Sequence, residues 1–230
     1  MTTYKNIKGK RVKRFATDLN NEQAEGQIFY SDTDNEFKTV VASAAWHSTG
    51  SLTNGRASLS AAGTVPAGMV FGGAGVSNKT EEYNGSGFFA GGNMNTARQA
   101  LGGAGTQTAG LGFGGYSTTH LALTEEYDGS SWSESGDLAT ARQYVAGAGT
   151  QTAGLAFAGR AAPAKTNSTE EYNGTSWTAG GNMNTARAYL AGCGIQTSAL
   201  AFGGSSTGTT GITEAYDGTS WTEVGDLNTA

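Results

Sequence analysis

The sequence predicts an all-β chain, a propeller of about five blades in which four full units follow a partial one. Three observations carry that expectation. A motif recurs: Arg56, Arg98, Arg142 and Arg187 open units 42, 44 and 45 residues long. Each unit holds four short strand candidates. The chain also resists a helical reading, because its 37 glycines and two prolines are spread throughout and no i, i+3, i+4 apolar spacing occurs.

The unit from Arg98 shows the pattern. Gln99 to Thr106 is a Gly/Ala-rich strand suited to close neighbours on both sides. Ala109 to Gly115 follows, with Leu111 and Phe113 alternating against small residues. Leu123 to Tyr127 is the third strand, and Asp128-Gly129 turns it into the fourth, Ser131 to Ser135. The glycine doublet recurs as Gly72-Gly73, Gly114-Gly115, Ala158-Gly159 and Gly203-Gly204. Tyr83, Tyr127, Tyr172 and Tyr216 each precede Asn-Gly or Asp-Gly, with Phe88, Trp132, Trp177 and Trp221 five residues on. These rings, with Trp46, are read as blade packing, since each unit leans on the next.

Gly115, Tyr127, Trp132, Leu138 and Arg142 carry a resemblance: their spacing looks like the kelch repeat of β-propellers. Thr-Ala-Arg and Ala-Gly-Thr-Gln-Thr-Ala within the units are similar to kelch-like proteins of marine bacteriophages. The resemblance covers about residues 26 to 230 and implies a kelch-like propeller. Its function is implied more loosely, as kelch propellers serve as enzymes, scaffolds and binders alike.

In chain order, residues 1–25 form a basic arm and linker, and 26–230 the propeller: a partial blade 26–55, then units 56–97, 98–141, 142–186 and 187–230. The arm holds Lys5, Lys8, Lys10, Arg11, Lys13 and Arg14, six of the 14 basic residues. Tyr4, Ile7, Val12 and Phe15 interleave with them, which suits docking against a partner; Tyr4, Lys8, Lys10, Arg11, Lys13, Arg14 and Phe15 are the docking candidates. No apolar core of signal-peptide length follows, and no run approaches membrane-spanning length. A net charge of −5 and blades without a basic aromatic face argue against nucleic-acid binding. Gly26 to Tyr30 and Glu36 to Val41 read as a hairpin. Trp46, Leu52 and Arg56 repeat the spacing of Trp132, Leu138 and Arg142. Where the sequence ends, at Leu227 to Ala230, the pattern calls next for Arg and another inner strand. Two explanations stand: further repeat sequence completes the ring, the favoured one, or another chain covers the edge.

Chemical signals give way to structural ones. Gly110 to Gly115 fits G-x-G-x-x-G, but no helix follows. His47, His120 and Cys193 neither repeat nor cluster, so no metal or cofactor is expected, and an oxidase reading loses its ligands. Neither histidine has a nucleophile elbow beside it. Glu81-Glu82, Glu125-Glu126, Glu170-Glu171 and Glu214 repeat once per unit, as structural partners of Arg56, Arg98, Arg142 and Arg187 would. The sequons at Asn78, Asn84, Asn167 and Asn173 read as turn residues, and one cysteine excludes an intrachain disulfide.

Variation concentrates in the loops between second and third strands: 74–79, 116–123, 160–168 and 205–212. Function is therefore expected to be adhesion without catalysis. The resemblance implies a bacteriophage virion structural protein, a tail-fibre or tail-associated component assembled in the host cytoplasm. Its arm would bind other tail or portal-proximal proteins, its loops a host-surface glycan or protein, and fibre proteins of this kind are commonly homotrimers. The alternatives are a soluble kelch scaffold for a protein partner and, weakest, a carbohydrate-active enzyme.

Overall fold

The computed structural model describes strands at 14–15, 28–31 and 36–39 and the continuous stretch 50–229. Every regular element described is a strand. The chain divides into two compact units, Met1–Ser48 and Thr49–Ala230. In the first, β1 (Arg14–Phe15) runs parallel to β2 (Ile28–Ser31), which pairs antiparallel with β3 (Glu36–Thr39). The expected hairpin is this β2–β3 pair, in register Ile28↔Thr39. Tyr4, Lys8, Lys10, Arg11, Lys13 and Trp46 lie outside the described residues, as does most of the partial blade expected over 26–55.

The second unit is a propeller of four blades, each a four-stranded antiparallel sheet. Blade one comprises β4 (Ser60–Thr64), β5 (Ala67–Phe71), β6 (Thr80–Tyr83) and β7 (Phe88–Ala90). Blade two comprises β8 (Gly102–Thr106), β9 (Ala109–Phe113), β10 (Thr124–Tyr127) and β11 (Trp132–Ser135). Blade three comprises β12 (Ala146–Gly149), β13 (Gly154–Phe157), β16 (Thr169–Tyr172) and β17 (Trp177–Ala179). Between its second and third strands stands an extra ribbon, β14 (Arg160–Ala161) with β15 (Ala164–Lys165). Blade four comprises β18 (Ala191–Ile195), β19 (Ser198–Phe202), β20 (Thr213–Tyr216) and β21 (Trp221–Glu223). The inner strands β4, β8, β12 and β18 stand side by side in that order.

Alternation on the second strand of each blade builds the core. Large residues face the following blade and small ones the preceding blade. A Cβ at Gly110 would sit 1.9 Å from Met69 Cε, and one at Gly154 would sit 2.7 Å from Leu111. Leu111, Leu155, Phe71, Phe113 and Phe157 are wholly buried by this arrangement, each such side chain stabilising the stack by roughly 1.5–3 kcal/mol. On the inner strands the same pressure demands glycine: a Cβ on Gly103 would lie 2.7 Å from the Phe71 ring and one on Gly147 2.6 Å from Phe113. Blade four's forward face differs. Leu200, the counterpart of Leu111 and Leu155, is 40% exposed, and Ile195 is 56% exposed.

Two local features depart from the sequence expectation. The inner strand of blade two begins at Gly102 rather than Gln99, because Ala100 adopts φ 56° and bends the chain. The β10–β11 hairpin also closes with four residues, Tyr127 pairing with Trp132. Asp128 Oδ1 accepts the Ser130 and Ser131 amides at 2.8 Å each, an Asx turn that takes Ser131 into the loop instead of the fourth strand.

Substituting Gly147→Ala is expected to destabilise the propeller by about 1–3 kcal/mol, because its methyl meets the Gly103 carbonyl and a fixed ring. Gly225→Ala, where nothing lies within 4 Å of the added atom, is expected to change little. Urea unfolding of the two variants checks the contrast.

Candidate functional site

The repeated charges and rings come together as clamps on the blades. Each repeat opens with a turn carrying its arginine, and that turn binds the first glutamate of the blade it enters. Arg98 Nη1 lies 3.0 Å from Glu125 Oε1, and the Asn95 amide donates to Glu125 Oε2 at 2.6 Å. Arg56–Glu81 (3.2 Å), Arg142–Glu170 (2.9 Å) and Arg187–Glu214 (3.2 Å) repeat the pair. Their second carboxylate oxygens accept the amides of Thr53, Ala139 and Asn184, each at 2.7 Å. The arginine thus pairs with a carboxylate of its own repeat, not with that of the repeat before. Arg98, Arg142 and Arg187 are completely buried. Burial lowers the pKa of the Arg98 and Arg142 guanidinium groups, and the neighbouring carboxylate opposes that fall without cancelling it.

A second set of contacts joins successive blades. Tyr127, Tyr172 and Tyr216 donate their hydroxyls to the second glutamate of the preceding blade: Glu82, Glu126 (2.5 Å) and Glu171 (2.5 Å). Trp132, Trp177 and Trp221 donate Nε1–H to Thr80, Thr124 and Thr169, each at 2.9 Å. Gln107, Gln151 and Gln196 reach back to two carbonyls of the preceding blade, those of Gly68 and Tyr83, Gly110 and Tyr127, and Gly154 and Tyr172. The tryptophans also lie against the preceding blade's Phe71, Phe113 and Phe157, with ring centroids 4.9, 5.0 and 4.9 Å apart. Tyr83 belongs to blade one and packs on Phe88 at 5.0 Å.

The sequons are structural here. Asn84 and Asn173 cap hairpin loops, and Asn78 and Asn167 donate to the Met94 and Met183 carbonyls. His120 lies in the second blade's variable loop, against Tyr116 and 3.3 Å from Gln143 Nε2. Cys193 is exposed on β18. Among the described residues no three His, Cys, Asp or Glu side chains converge as metal ligands would.

The variable loops share one end of the propeller with the arginine turns. Isolated bridges tie them there: Gln99 to Tyr116, Gln143 to Arg160 and Ala188 to Ser205. That end holds a cavity of about 800 Å³ lined by Arg160, Lys165, Thr185, Tyr189 and Ser206. Thr185 belongs to the recurring Thr-Ala-Arg motif, whereas Arg160 stands where the other units have Ala74, Tyr116 and Ser205. The sequence signal was a change at the second position after each arginine, which reads Ser58, Ala100, Tyr144 and Tyr189. The site therefore belongs to a four-bladed β-propeller whose framework charges are internally paired and whose loop end carries Arg160 and Lys165, neither in an ion pair among the described residues. The chain matches no model of a known protein family and no curated protein.

Replacing Arg142 with Ala is expected to cost about 3–5 kcal/mol, since Glu170 is left buried without its cation. Adding Glu170→Gln should restore part of that loss in a double-mutant cycle followed by urea unfolding.

Burial, and then the carboxylate that each hydroxyl meets, push Tyr127, Tyr172 and Tyr216 up to about 12. An unfolded tyrosine ionises near pH 10. The folded state thus keeps protons that the unfolded chain releases, so this contribution is intact below about pH 10 and is lost between about 10 and 12. Melting temperature is expected to fall across that window, and less steeply in the Tyr127→Phe, Tyr172→Phe, Tyr216→Phe triple variant.

Proposed function

We propose that this chain is a non-enzymatic, kelch-type propeller of a bacteriophage virion, a tail-fibre or tail-associated structural protein that presents its loop end to a surface. The observation that carries the adhesive part is how the repeated groups are used. Glu81, Glu125, Glu170 and Glu214 each face a buried arginine, and Glu82, Glu126 and Glu171 each accept a tyrosine hydroxyl. A glycoside hydrolase needs one carboxyl group to donate a proton and another to act as base or nucleophile. Carboxylates whose oxygens are already taken up by a guanidinium and backbone amides suit a framework. Divergent polar loops set on such a framework are how scaffolds present binding surfaces. The virion assignment rests on the likeness of the repeat and of the basic, aromatic-studded segment 1–20 to phage proteins.

Mass spectrometry of purified particles tests the assignment, with the chain expected among their components. Deleting residues 1–20 is expected to abolish incorporation while leaving the melting temperature of the propeller unchanged. A particle that keeps the truncated chain overturns the docking role of the arm.

A further inference from the structure

Blade three departs from blades one and two in two ways, the second shared with blade four, and they meet at one place. The first is the ribbon β14–β15, whose register sets Arg160 directly opposite Lys165. Like charges facing each other across an antiparallel pair repel, so a two-residue ribbon gains nothing by holding them there. Among the described residues neither cation forms an ion pair. Lys165 Nζ donates to Ser205 Oγ at 2.8 Å and to the Ser206 carbonyl of blade four, which fixes the ammonium and leaves one of its three donors. Arg160 is exposed beside it.

The second departure is aromatic. Two residues after every repeat arginine the backbone is left-handed: φ is 52° at Ser58, 56° at Ala100, 53° at Tyr144 and 62° at Tyr189. Small residues occupy that conformation in blades one and two. In three and four it is imposed on a bulky ring, which costs backbone strain of the kind that gathers at binding sites. The two rings stack with centroids 4.0 Å apart and an interplanar angle of 36°. Tyr189 nevertheless stays 54% exposed, so the pair is not spent on core packing. Its open side borders the cavity that Arg160 and Lys165 enter, with Thr185 and Ser206 supplying polar groups on the wall.

We propose that this cavity binds an acidic saccharide, a pyranose ring lying on the face of Tyr189 with its carboxylate or sulfate held between Arg160 and Lys165. The chemistry selects that class. A guanidinium fork matches a carboxylate or sulfate edge, and a second cation beside it neutralises the same group. An aromatic face takes the apolar C–H face of a sugar, and hydroxyls that both donate and accept suit a polyhydroxylated ring. Nucleic acid fits less well, because it requires a basic track along successive phosphates and this site has two cations on a chain of net charge −5. The proposal rests on the surface-binding function above and names its ligand class.

Calorimetric titration of the full chain tests it, with a tetragalacturonate as carboxylated probe and a κ-carrageenan tetrasaccharide as sulfated probe. Maltotetraose and a thymidine oligonucleotide serve as the neutral and nucleic-acid comparators. At least one acidic probe is expected to bind with a Kd of about 1 mM or tighter, and about tenfold or more above maltotetraose. Which of the two binds identifies the acidic group. Arg160→Gln and Tyr189→Gly are each expected to weaken that binding by about tenfold. Tyr189→Gly removes the ring while keeping a residue that tolerates φ 62°, so its melting temperature should hold and any loss of binding is local. Failure of both acidic probes, equal binding of maltotetraose, tighter binding of the oligonucleotide, or unaltered binding by both variants overturns the proposal. Absence of the chain from purified particles while the saccharide still binds overturns the virion assignment alone.

Discussion

A guanidinium with no exposed surface is tolerated only where a carboxylate meets it, and in this propeller that pairing recurs at the entrance to every blade. Because the glutamate takes the arginine on one oxygen and a backbone amide three residues upstream on the other, the whole connecting turn is pinned. The chain then has to leave that turn in the left-handed conformation to reach the axis, which explains the positive φ two residues later in all four units. At the axis those residues pass hydrogen bonds from blade to blade: the Ala100 amide donates to the Ser58 carbonyl, and the Tyr144 amide to the Ala100 carbonyl. One ion pair thereby sets where each blade begins and where its inner strand falls relative to the last.

The contacts between blades have a direction. Donors on each blade (Trp Nε1–H, Tyr O–H, Gln Nε2–H) reach back to acceptors on the one before, and large side chains reach forward into small ones. Read with that polarity, the outer blades differ from the inner ones at the positions the direction would predict. Blade one has Phe88 where the others have an indole donor, Val65 where they have the reaching glutamine, and Ala61 where they have a glycine against a ring. Val65 is 91% exposed. Blade four has Ala215 where the others offer a glutamate to the next tyrosine. A junction of blade four with blade one would therefore lack the Trp–Thr bond, the glutamine clamp and the Tyr–Glu bond. It would be a different kind of contact from the three within the stack.

Much of this was legible in the sequence, for a physical reason. Strand identity and blade boundaries follow from local spacing, so the doublet ending in Gly, the Glu-x-Tyr run and the Trp or Phe five residues on marked all four sheets. The partner of each arginine was not legible, since two glutamates per repeat offer the same charge and only the path of the connecting turn decides between them. The onset of β8 was missed because nothing in Gln99-Ala100-Leu101 announces a left-handed residue; alanine there is held by the neighbouring blade, not by its own preference. The ribbon β14–β15 was hidden as well. Arg160 to Lys165 reads as a loop, and two residues per strand leave no period to detect.

A finer period inside the repeat makes the chain its own control. Blades one and three turn on Asn84 and Asn173, and blades two and four on Asp128 and Asp217. Odd blades bind their outgoing connection with an asparagine amide, Asn78 to Met94 and Asn167 to Met183. Even blades use a carboxylate that accepts a strand amide, Asp137 from Thr124 and Asp226 from Thr213. The four blades are thus two copies of a two-blade module with the same capping chemistry and the same arginine–glutamate clamps. Against that constant background the loop end differs sharply between copies: Ser58, Ala74 and Ala100 in the first stand where Tyr144, Arg160 and Tyr189 stand in the second. The arginine clamps and loop caps are equal in the two modules, so they do not account for rings placed on strained backbone or for Arg160, which has no ion pair among the described residues. What differs is the surface they border, and the saccharide site proposed above lies on the second module for that reason.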